Sequence, residues 1–240
     1  MICIKKHTPS KYPSVEHHPS GNLRRARSIL ARGICGGILV GVAFILSACS
    51  IFPSREPLTV YVLRPPSTLE TQVVKCASTV QVHRPKAGGV LNSSKIVVMP
   101  APQQLSVYKG VRWDEALPRA VQDYLIETLR SSAAFPVVIG TESRIKADFY
   151  LDSTMRSFQS SYVRAAENGG NPVVEVEYTV QLVKADTNTI VAQQNFLVLQ
   201  PSAGTEVNAV VRAFNSAAAI LSAQVVEWTV THIAQAKTEE

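Results

Sequence analysis

Gly33 to Leu46 is a run of 14 residues with no charge and no strongly polar side chain. A helix that spans a bilayer needs about 20 predominantly apolar residues. The apolar region of a cleaved secretory signal needs only about 7–15. The run has the length of a signal, and it divides the chain: the residues before it are leader, and the fold must be built from those after it. Residues 33–54 are uncharged throughout, so an uncleaved signal anchor is the alternative reading. Pro53 and the four glycines of the run weigh against it.

Leu46-Ser47-Ala48-Cys49 closes the apolar run. Small side chains at 47 and 48 let a peptidase close on the backbone. The Cys49 thiol can then be alkylated with diacylglycerol. Basic leader, apolar run and this tetrapeptide, in that order, resemble the bacterial lipobox. The expected division is a signal peptide over 1–48, a tether over 49–57, one domain over 58–233 and a disordered tail over 234–240. Pro53 and Pro57 exclude a regular element from the tether. Ser50 follows the lipidated cysteine, where an Asp is a familiar inner-membrane retention signal. This points to the outer membrane, facing the periplasm. Residues 1–22 are rich in His, Pro and Ser and read as disordered. An extended leader and a start at a later non-Met codon both fit.

The net charge of +6 suggests a polyanion-binding protein until it is divided along the chain. Residues 1–32 carry seven basic side chains against Glu16 alone, and 33–49 carry none. Residues 50–240 hold 17 basic and 17 acidic side chains. The folded part has no bias toward DNA or RNA. Beyond Cys49 only Cys76 remains, so no intrachain disulfide is available. Cys76 reads as a buried small residue, with an intermolecular bridge as the alternative.

Leu58–Leu63, Thr79–His83 and Lys95–Met99 read as β-runs that stop before Pro65, Pro85 and Pro100. A helix is expected from about Glu115 to Arg130, with Asp114 as N-cap and Pro118 in its first turn. Its apolar stripe is Leu117, Val121, Tyr124, Leu125 and Leu129. A short strand at Val137–Ile139 and a longer one at Phe149–Phe158 follow. Val174 to Lys184 reads as a strand, with Val174, Val176, Tyr178, Val180 and Leu182 facing one way and Glu175, Glu177, Thr179 and Gln181 the other. Asp186-Thr187-Asn188-Thr189 is turn chemistry, and Ile190–Leu199 returns as the hairpin partner. The last helix is expected from about Glu206 to His232, with Val210, Phe214, Leu221, Val225 and Trp228 on one face. One wet sheet face argues for antiparallel pairing. The expected fold class is α+β: a mixed, largely antiparallel sheet of about six strands, with two amphipathic helices packed on one face.

Little in this sequence supports catalysis. His83 and His232 are far apart, and no set of three or four zinc ligands is spaced to close a site. There is no Gly-x-Ser-x-Gly elbow and no phosphate-binding loop with its Lys. No catalytic residue, metal or cofactor is expected. Tyr108 and Trp113 fall in what reads as a loop before the first helix. They are either core or contacts for a partner.

Three stretches carry a family resemblance. The first is Val80-Gln81-Val82-His83-Arg84-Pro85 with Leu91 and Lys95-Ile96-Val97-Val98. The second is Tyr108, Trp113, Leu117-Pro118, Leu125, Leu129, Phe135 and Val138. The third runs from Val210-Val211-Arg212-Ala213-Phe214-Asn215 to Val225-Val226-Glu227-Trp228. In order and spacing after a lipobox they resemble the ABC-type transport auxiliary lipoproteins, which include the paraquat-inducible C-type lipoproteins. The long leader and the polar stretch 67–78 depart from that pattern. The resemblance implies a lipid-anchored, non-enzymatic accessory of a lipid transporter. Its implied partners are a substrate-binding protein of the mammalian-cell-entry type and an ABC permease and ATPase. The implied cargo is phospholipid or another hydrophobic substrate moving between two membranes. Homo-oligomerisation stays open. The other readings are a structural outer-membrane lipoprotein that assists envelope assembly and, third, a lipid-anchored hydrolase.

Overall fold

The alternation from Val174 onward is the backbone of the architecture. In the computed structural model, which describes residues 58–65 and 74–238, β7 (Val173–Lys184) and β8 (Thr189–Pro201) form a long antiparallel hairpin. Asn188 takes a left-handed conformation in its turn, as Asn does more readily than most residues. On the inner face Val176 pairs with Val198 and Tyr178 with Phe196. On the outer face Thr179 Oγ1 donates to Asn195 Oδ1 at 2.8 Å, and Gln181 Nε2 to Gln193 Oε1 at 2.6 Å. The other side of β7 pairs antiparallel with β6 (Phe149–Ser161) along its whole length.

Beyond β6 the sheet divides. The N-terminal end of β6 pairs parallel with β2 (Thr79–Val82), which pairs parallel with β5 (Val137–Gly140). The C-terminal end pairs parallel with β3 (Lys95–Ala101). β3 carries β4 (Gln104–Trp113) antiparallel, and β4 carries β1 (Thr59–Tyr61) parallel. The eight strands belong to one sheet, two more than expected from the sequence. Its long ladders are antiparallel and its short ones parallel.

Two helices cover the inner face. α1 spans Leu117–Ser131 and packs on β2 and β5; α2 spans Val207–Thr238 and packs on β7 and β8. Both contribute to one apolar cluster with the sheet. α2 is long and apolar enough to cross a membrane, yet 61% of its most apolar window is buried inside the protein. Its apolar character is that of a core helix.

Several expectations change. Asp114 does not cap α1: its N–H donates to Tyr61 O at 2.8 Å, which keeps it tied to the β1–β4 pair. The residue before α1 is Ala116, without a side-chain cap, and Leu117 N–H donates to Ser93 O at 2.9 Å instead. Pro100 does not end β3. Pairing with β6 stops at Met99, and the β4 ladder is irregular between Val98 and Ala101. Proline is tolerated at such an irregularity, where no ladder N–H is required. Residues 234–238, expected as a disordered tail, continue α2, and Lys237 Nζ donates to Ala77 O. Cys76 is buried, and burial pushes its thiol pKa up.

Candidate functional site

Cys49 lies outside the described residues. Tyr108 and Trp113 do not sit in a loop: both belong to β4, a ten-residue strand. The reason it escapes detection is local. Two ladder pairs, Lys95 with Arg112 and Val97 with Val107, enclose one residue on β3 and four on β4. The extra residues form a bulge around Gly110, whose φ of 70° lies in the left-handed region that glycine enters freely. The bulge breaks the alternation that would mark the strand.

The bulge also separates the fates of the two aromatics. Trp113 is wholly buried, edge-on to Phe158 at 6.0 Å and to Phe214 at 5.5 Å between ring centroids. Phe158 and Phe214 stack on each other at 4.9 Å. Trp113 is therefore core and offers no surface to a partner. Tyr108 is half-buried, and its hydroxyl lies 2.9 Å from Ser160 Oγ. Burial pushes its pKa up to about 12.

The groove that the sequence did not announce lies between β8 and the C-terminal half of α2. It has a volume of about 510 Å³ and is lined among others by Asn195, Phe196, Leu197, Glu227, Trp228 and His232. Trp228 is edge-on to Phe196 at 5.8 Å and in contact with the His232 ring at 4.8 Å. The His232 Nδ1–H donates to Trp228 O at 2.8 Å, which leaves Nε2 as the acceptor nitrogen of the neutral ring. Phe196 and Trp228 form an apolar floor beneath a rim that includes Gln194, Asn195, Gln224, Glu227 and Thr231.

His83 and His232 are not brought together. His83 Nδ1–H donates to Asp152 Oδ1 at 2.5 Å, and the ring stacks on Tyr150 at 4.9 Å. Among the described residues no group of three or more His, Cys, Asp or Glu side chains could hold a metal ion.

Comparison with known proteins gives the fold its context. A crystal structure of a DUF330-family protein from Xanthomonas campestris is 25% identical, with a TM-score of 0.69, over 76% of this chain and 99% of that one. A second structure, of an uncharacterized protein, is 16% identical with a TM-score of 0.54, over 71% of this chain and 97% of that one, and shows the shared fold. No curated protein matches. The family model for the ABC-type transport auxiliary lipoprotein component matches residues 61–226, from β1 to the middle of α2. The chain belongs to the family of ABC-type transport auxiliary lipoprotein components.

Proposed function

We propose that this chain is the lipid-anchored docking component of a mammalian-cell-entry class transport system. In this reading it acts without catalysis, beside an ABC permease, its ATPase and a substrate-binding protein. The observation that carries the reading is the family match over residues 61–226, which assigns the chain to transport auxiliaries and not to an enzyme family. The lipobox at Leu46–Cys49 supports the anchor, and Ser50 in place of an Asp supports the outer membrane. The balanced charge of residues 50–240 supports protein and lipid partners over nucleic acid. Phospholipid or another hydrophobic molecule is the proposed cargo, and self-association into a homo-oligomer belongs to the same proposal.

A deletion strain tests it. Cells pulse-labelled in their phospholipids are fractionated into inner and outer membranes over time. The proposal expects a changed rate of label exchange, restored by the wild-type gene and not by Cys49→Ala. Unchanged exchange together with defective assembly of an outer-membrane complex would favour a structural lipoprotein instead.

A further inference from the structure

An open sheet edge is a row of unpaired backbone N–H and C=O groups, and proteins defend such edges with charge, proline, bulges or a covering segment. β8 pairs with β7 and with no other described strand. From Thr189 to Gln200 it contains no Lys, Arg, Asp, Glu or Pro. Its one irregularity lies opposite Leu182 and Val183, near the turn. At about 3.4 Å per residue the undefended edge is roughly 40 Å long. The other outermost strands, β1 and β5, have three and four residues.

A strand added to this edge would present its side chains alternately to the two faces of the sheet. Inward ones meet the groove floored by Phe196 and Trp228. Outward ones meet Leu197 and Leu199, which are 53% and 38% exposed. Glu227 stands on the groove wall, and Glu177 and Glu175 face Leu197 and Leu199 in register on the outer side. None of these three carboxylates has a cationic partner within 4 Å among the described residues. Arg156, on neighbouring β6, donates to Thr179 Oγ1.

We propose that β8 is the docking edge for an extended segment of a partner protein in which apolar residues alternate with Lys or Arg. The segment adds as a further strand outside β8. Its backbone completes the open ladder, its inward apolar side chains enter the groove beside α2, and its outward cations reach across Leu197 and Leu199 toward Glu177 and Glu175. The inference rests on the reading of the chain as a docking component and names the surface used.

The probe is an end-blocked seven-residue peptide alternating Lys and Leu, added to the full-length protein in detergent. Hydrogen exchange should slow along residues 189–200 on addition of the peptide. Leu197→Lys restores the missing edge charge at an exposed site and should abolish binding with the circular dichroism unchanged. Glu175→Gln combined with Glu177→Gln should weaken binding roughly fivefold, the scale of two exposed ion pairs. Four results would overturn the proposal: no binding, protection elsewhere, equal binding of a Glu-Leu peptide, or β8 already protected in the free protein in a concentration-dependent way. The last would make a second copy the occupant. These outcomes concern β8 alone, whereas the lipid-exchange experiment fails or succeeds whichever surface docks.

Discussion

Phe214→Ala removes the ring at the centre of the aromatic cluster. Phe214 is fully buried, stacked on Phe158 at 4.9 Å and edge-on to Trp113 at 5.5 Å. It joins α2 to β6 and to the end of β4 in one contact set, so no single neighbour can move in to fill the space. Truncating such a side chain loses its burial and leaves a cavity, about 3–5 kcal/mol together. A domain of this kind has roughly 5–15 kcal/mol in total. At about 2–4 °C per kcal/mol for 150–250 residues, the melting temperature should fall by roughly 6–20 °C. Thermal unfolding followed by circular dichroism reads this, with Leu197→Ala as control. Leu197 is 53% exposed, and its truncation should stay within about 0.5 kcal/mol. A fall below about 3 °C for Phe214→Ala would refute the cluster as the keystone of the core.

Tyr108→Phe deletes the hydroxyl facing Ser160 Oγ, whose residue is fully buried. A loss of about 1–3 kcal/mol in urea unfolding is expected. Tyr108 and Tyr124 are pushed up to about 12 by burial, and Tyr178 is pushed up further still. Their native states hold protons that the unfolded chain releases near pH 10, so stability from this source is complete below about pH 10. It should fall between about pH 10 and 12, and unfolding at stepped alkaline pH with tyrosinate absorbance will show whether it does. Intact mass of membrane-extracted protein should give a chain that begins at Cys49 and carries lipid; retention of residues 1–48 would sink the anchor assignment. On a density gradient the protein should travel with outer-membrane markers, and recovery with inner-membrane markers alone would reverse the destination read from Ser50.

Elements with uninterrupted periodicity were legible in the sequence. The alternation of Val174 to Leu182 located β7 to within a residue, and the stripe through Phe214, Leu221 and Trp228 located the buried face of α2. The losses come where a tertiary contact overrides a local pattern. β4 was hidden because its bulge at Gly110 shifts alternation, and because Lys109 and Arg112 make its sequence resemble a loop. Asp114 looked like a cap until β1 claimed its backbone N–H. The end of α2 looked disordered because the Lys237 contact with Ala77 joins residues 160 apart in the chain. The groove by Trp228 was illegible for the same reason. Trp228 reads as part of the apolar stripe of its helix, and only its placement beside Phe196 at an open edge makes the two the border of a surface.

Affinity capture of the tagged, lipidated protein from membranes of its own host, after mild crosslinking, tests the central claim most directly. Mass spectrometry of the captured material should find an ABC ATPase, its permease and a substrate-binding protein of the mammalian-cell-entry type. All three should be absent when Cys49→Ala is captured in the same way. Recovery of outer-membrane assembly components with none of the three would contradict the account.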